Sequence, residues 1–197
     1  MKINISAKNV TYFAILLALV VVLQTTLGSI RIGATSFSVV LIPIVIGAIL
    51  LGEIAGGLLG LAFGLIVLIY GITGIDVFTN YLFVNQPVLT VLTCLVKGIM
   101  AGVVPAFTYR LLSKKNVNVA TVVSSMTSPI VNTGLFIVGA LLMYNTLSAS
   151  PFLDGQSVMY FLIIGCAGIN FLVELLVNIV VAPAIARFIQ IIEKRVS

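Results

Sequence analysis

The chain has 197 residues, of which 61% are apolar and only 8% charged, with no His or Trp, a formal charge of +5 and a mean hydropathy of +1.30. Soluble domains are about a quarter charged, so a soluble globular fold is excluded. The basic residues border long apolar runs and form no patch, so the positive balance points to orientation in a bilayer and away from nucleic acid.

Cys94 and Cys166 both lie inside apolar runs, which leaves no disulfide framework and no CxxC pair. The sequence contains no HExxH, P-loop or GxSxG pattern. The expectation is a protein that is not an enzyme, with no cofactor and no metal.

Six apolar segments follow in chain order: Thr11 to Leu27, Phe37 to Leu51, Ile54 to Ile72, Pro87 to Leu112, Val117 to Tyr144 and Ser157 to Ile189. Each is near or above the ~17 residues that a membrane helix needs. The second carries Pro43 and Gly47 and meets the third at Gly52-Glu53, so the two are expected to form a tight hairpin. The first follows Lys2 and Lys8 in the manner of a signal peptide, but no small-x-small cleavage site succeeds it, so an uncleaved helix is expected. The expected fold is an all-α integral membrane protein of six transmembrane helices, one domain over 1–197.

Charge sets the orientation. Lys2, Lys8, Arg110, Lys114, Lys115, Arg187, Lys194 and Arg195 fall on one side of such a bundle, and Arg31 with Asp76 and Asp154 on the other. The positive-inside rule then makes both termini cytoplasmic. The connections Gly28 to Ser36, Thr73 to Gln86 and Asn145 to Gln156 face outward, where ordered loops carry binding. No internal repeat is visible, which argues against an inverted-repeat secondary transporter.

Small residues recur every fourth position at Ala14 and Ala18, at Gly56, Gly60 and Gly64, and at Gly98 and Gly102. Such faces let two backbones approach closely, within the bundle or against a partner. The Gly sets favour internal packing, and the Ala pair, on an N-terminal helix with a free face, favours a partner.

Ionisable and amide groups within apolar segments are costly and default to functional candidates. Lys97 lies ten residues past Pro87, about 15 Å along its helix. Asn132 sits midway along the fifth segment, and Asn170, Glu174 and Asn178 form a stripe on the sixth. These groups either pair internally, as Lys97 with Glu174, or line a ligand site beneath the outward groups Arg31, Asn80, Tyr81 and Asn85. The several amides favour the ligand site. With Arg31 and Lys97 as its basic residues and Glu174 the sole acid at that depth, the site is expected to take a small anion bearing hydroxyl or amide groups, handled by Asn132 and Thr133.

The stretches FSVVLIPIVIGAILLGEIAGGLLGLAFGL from Phe37, CLVKGIMAGVVPAFTYRLL from Cys94, SPIVNTGLFIVGALLMY from Ser128 and NFLVELLVNIVVAPAIARF from Asn170 resemble, in order and spacing, the substrate-binding S component of energy-coupling factor (ECF) vitamin transporters. The last three are most similar to the pantothenate type (PanT). That type often carries Arg where Lys97 stands and Pro where Glu53 stands. The resemblance implies capture of a water-soluble vitamin from outside a bacterial cell membrane, with release driven by a transmembrane coupling protein (EcfT type) and two ATPase subunits (EcfA type). It implies docking of Ala14 and Ala18 on the coupling protein. Riboflavin, folate or pyridoxine as ligand remain alternatives, as do a self-sufficient secondary transporter and a membrane scaffold that binds nothing.

Overall fold

A computed structural model describes residues 7–26, 31–32, 35–36 and 39–196, with backbone alone at the four strand residues, at 169 and at 192–196. The chain runs as α1 (Ala7–Thr26), a two-residue antiparallel pair β1 (Arg31–Ile32) and β2 (Thr35–Ser36), α2 (Leu41–Leu51) and α3 (Glu53–Ile72). It continues through α4 (Val77–Asn85), α5 (Pro87–Leu112), α6 (Val117–Leu142), α7 (Tyr144–Ser148) and a 3-10 turn at Pro151–Leu153. The last helix starts as α8 (Val158–Tyr160), widens into a π-helix over Phe161–Gly168 and ends as α9 (Ile169–Val196).

Among the described residues, five helical stretches are long and apolar enough to cross a membrane: α1, α3, α5, α6 and the stretch Val158–Ile191. The sixth expected span is shorter than the sequence suggested. At 11 residues α2 rises about 16 Å, roughly half of the hydrocarbon thickness. Pro43 accounts for its late start, because proline is tolerated in a first turn but clashes with the carbonyl four residues upstream if the helix continues backward. Gly52, at φ 90°, stops it at the other end, a backbone conformation that side chains disfavour. The hairpin itself is as tight as Gly52-Glu53 suggested: Gly47 abuts Leu59 and Gly56 abuts Ala48, which fixes α2 antiparallel to α3.

The two Gly series pack against each other within the chain. A methyl group on Gly56 would strike the Gly102 carbonyl, one on Gly60 the Gly98 carbonyl, and one on Gly64 the Cys94 carbonyl. This antiparallel ladder brings the α3 and α5 backbones into contact, which is what four-residue glycine spacing permits. At its lower end Glu53, in the first turn of α3, lies 2.9 Å from Arg110 near the end of α5. Glu also complements the positive end of the helix dipole there, which rationalises its place where the resembling proteins often have Pro.

Polarity is arranged inside out. Large apolar side chains such as Ile15, Leu58, Leu92 and Leu176 are exposed, while Gln24, Ser124, Ser125, Ser128, Asn132, Asn170, Glu174 and Asn178 are buried. A bilayer solvates the former and not the latter. One buried hydroxyl has a specific task. Pro105, inside α5, has no N–H to give the carbonyl of Ala101, and the Ser128 hydroxyl of α6 donates to that carbonyl at 2.8 Å.

Two expected loops are partly helical. In Thr73 to Gln86, Asp76 caps α4 by accepting from the backbone N–H groups of Phe78 and Thr79. In Asn145 to Gln156, α7 and the 3-10 turn carry Leu147 and Leu153 into a cluster with Phe78, Leu82, Met143 and Phe161.

Candidate functional site

Where α3, α4, α5, α6 and the last helix converge, they enclose a cavity of about 80 Å³. Five of the expected residues line it: Lys97 from α5, Asn132 and Thr133 from α6, and Asn170 and Glu174 from α9. Gln24 of α1, Asp76 and Thr79 at the start of α4, and the aromatic groups Phe63, Phe78, Phe136 and Phe171 complete the wall. These were not anticipated. Gln24 carried a legible signal, a polar residue four positions after the buried Val20 on an apolar helix. Asp76 and Thr79 carried another, an N-cap pattern ahead of an apolar run.

Lys97 is half-buried, with its ammonium 5.8 Å from the ring centre of Phe63 and 5.4 Å from that of Phe136. Both distances fall in cation–π range. The one salt bridge among the described residues joins Arg110 to Glu53, so Lys97 is not tied to Glu174 as the pairing alternative required. A lysine at bilayer depth costs on the order of 3 kcal/mol, and an aromatic contact returns about 0.5–2 kcal/mol. The two rings together return about 1–4 kcal/mol, a span that reaches that cost, and no described carboxylate lies within 4.0 Å of the ammonium.

Asn132 is 8% exposed, and its Oδ1 has no hydrogen-bond partner among the described residues. A buried amide oxygen without a donor costs about 1–3 kcal/mol, and the Oδ1 of Asn178, away from the cavity lining, shares that state among the described residues. Asn170 donates from Nδ2 to the Cys166 carbonyl at 3.4 Å. One turn below Glu174, Asn178 donates to the Glu174 carbonyl at 2.8 Å and lies beyond the cavity lining. The π-helix brings Cys166 and Ala167 to the cavity while Ile163 and Ile164 border an apolar groove of about 410 Å³ on the outer face of α6. Thr133, Ala167 and Phe171 line both spaces, so one layer of side chains separates the cavity from that groove.

The outward residues serve differently from expectation. Asn80 donates to the Gly71 carbonyl at 2.7 Å, Tyr81 to the Thr146 carbonyl at 3.1 Å, and Asn85 to the Tyr81 carbonyl at 2.8 Å. The first two tie α4 to neighbouring segments, the third lies within α4, and none of the three is among the residues lining the cavity. Arg31 pairs its backbone with Ser36 across the β1–β2 hairpin, and its side chain lies outside the described residues.

The charge inventory also differs. Asp76 joins Glu174, so the described lining holds two carboxylates and one ammonium. The cavity has a local cation at Lys97 and no net positive field from its described groups.

Ala14 and Ala18 are exposed, on the side of α1 opposite its buried stripe Leu16, Val20 and Gln24. Their face is open to a partner.

No curated protein matches the chain. Residues 8–186 match the family described as ECF transporter, substrate-specific component. That match covers every residue lining the cavity, and with the multi-pass bundle it identifies the chain as a member of the ECF transporter substrate-specific components, a transporter family.

Proposed function

We propose that this chain captures pantothenate from outside a bacterial cell and delivers it inward with a transmembrane coupling protein of the EcfT type and two ATPase subunits of the EcfA type. The observation that carries the ligand assignment is the Lys97 ammonium in the cavity, held over two aromatic rings without a described carboxylate partner, beside the unpartnered Oδ1 of Asn132. A carboxylate meets Lys97 and an amide or hydroxyl donor meets Asn132; pantothenate carries all of these groups. Thr133 supplies a hydroxyl at the same level.

The volume adds a condition. About 80 Å³ is well under the ~300–1,000 Å³ of ligand pockets in general, so loading a vitamin widens the cavity. The basic residues at Arg110, Lys114, Lys115 and Arg187 support cytoplasmic termini with the α4 and α7 side outward. Exposure of Ala14 and Ala18 supports α1 as the face that meets the coupling protein.

Mass spectrometry of ligand retained by the purified protein tests the assignment. Pantothenate is the expected species; riboflavin, folate or pyridoxine would redirect the assignment to another vitamin. Accumulation of substrate by proteoliposomes holding this chain alone, driven by a proton or sodium gradient, would contradict the need for an ATPase module.

A further inference from the structure

Asp76 is held unusually well for a residue that merely precedes a short outer helix. Gly74, at φ 79°, turns the chain after α3, and the Asp76 N–H donates to the Tyr70 carbonyl at 3.0 Å. Its Oδ1 accepts from the N–H groups of Phe78 (3.2 Å) and Thr79 (3.3 Å), and its Oδ2 accepts from the Thr79 hydroxyl (2.9 Å). The helix beneath it is anchored too. The Phe78 ring packs 5.6 Å from both Phe152 and Phe161 and 6.2 Å from Phe136, and Asn80 and Tyr81 tie α4 to Gly71 and Thr146. Neither oxygen is free to swing.

A carboxylate has about four lone-pair sites. Three donors occupy this one, which leaves acceptor capacity on Oδ2, and Asp76 lines the cavity. It has no salt bridge within 4.0 Å among the described residues. The ammonium of Lys97 belongs to the middle of α5 and lies 5.4 Å from the Phe136 ring, which in turn lies 6.2 Å from the Phe78 ring of α4. The cavity therefore has a cationic place at mid-helix depth and a fixed anionic acceptor toward α4.

We propose that Asp76 is a specificity-determining residue: it accepts hydrogen bonds from the donor end of the ligand, while Lys97 holds the anionic end. The cavity thereby selects molecules with a carboxylate at one end and hydroxyl donors at the other, over simple carboxylates, whose apolar end leaves the remaining acceptor site of Asp76 Oδ2 unfilled. This assignment rests on the pantothenate reading, in which the two hydroxyls meet Asp76.

Asp76→Asn separates ligand recognition from helix capping, because Asn is as good an N-cap as Asp and keeps the oxygen that Phe78 and Thr79 need. Calorimetry with the full-length protein compares three probes. These are pantothenate; pantothenol, which keeps the hydroxyls and lacks the carboxylate; and the dideoxy analogue, which keeps the carboxylate and amide and lacks both hydroxyls. The expected result is that Asp76→Asn weakens pantothenate and pantothenol about tenfold each and leaves the dideoxy analogue within about twofold, while Lys97→Met weakens the dideoxy analogue and spares pantothenol. An equal loss on all three probes would reduce Asp76 to a structural cap, and no loss on pantothenate would remove it from recognition; either overturns the proposal alone. Failure of the unmodified protein to bind pantothenate would overturn the vitamin assignment and the role of Asp76 together.

Discussion

Ser128 illustrates how a single hydroxyl can serve structure in a chain where other buried polar groups line a cavity. Its bond to the Ala101 carbonyl exists because Pro105 cannot make the helical one. Ser128→Ala leaves that carbonyl buried without a donor, a cost of about 1–3 kcal/mol. The expected outcome is a lowered thermal midpoint in detergent with pantothenate affinity retained; an unchanged midpoint would mean that the carbonyl finds another donor. Asn132, one turn further along α6, has the opposite character, since it lines the cavity and its buried Oδ1 has no hydrogen-bond partner among the described residues. The sequence placed both residues in an apolar segment but could not tell them apart, because the distinction lies in what α5 presents opposite them.

Among the elements, α3 and α5 form the rigid pair on which Lys97 is mounted. Gly98, adjacent to Lys97, contacts Gly60 backbone to backbone, so anything that separates the helices there displaces the ammonium. Gly60→Ala drives a methyl group into the Gly98 carbonyl, and overpacking of this kind costs about 1–3 kcal/mol. Both stability and pantothenate affinity are expected to fall. Gly134→Ala is the contrast: nothing lies within 4 Å of the added methyl, so stability and affinity should stay near those of the unmodified protein. Melting curves and calorimetry on the two variants check this, and equal behaviour would show that the glycine ladder is not what positions Lys97. The ladder was visible as four-residue spacing, and the hairpin as Gly52-Glu53. The true length of α2 and the existence of α4 were less so. Hydropathy cannot see where Pro43 forbids a helix from beginning earlier, and it reads a capped nine-residue helix such as Val77–Asn85 as loop.

For the whole molecule, membership of a family of substrate-specific components divides the work between this chain and a separate driving module. Binding and coupling should then be separable on its surface. Ala14 and Ala18 are exposed and face away from the cavity, so Ala14→Leu with Ala18→Leu is expected to abolish uptake in cells that carry the complete transporter while leaving pantothenate affinity of the isolated chain unchanged. Loss of binding would instead place that face inside the working site. Five cavity residues, Lys97, Asn132, Thr133, Asn170 and Glu174, were legible because ionisable and amide groups stand out against an apolar chain. Asn80 and Tyr81 stand out in the sequence by polarity alone, and their bonds to the Gly71 and Thr146 carbonyls, which tie α4 to the fold, depend on tertiary placement that composition does not carry.

The measurement that bears most directly on this account is calorimetric titration of the purified chain and its Lys97→Met and Asn132→Ala variants with pantothenate and with pantothenol. The acid should bind more tightly than the alcohol to the unmodified protein, and each substitution should weaken the acid at least about tenfold, or 1.4 kcal/mol. Lys97→Met should also erase the preference for the acid. Equal affinity for acid and alcohol, together with no effect of Lys97→Met, would contradict a site organised around that ammonium.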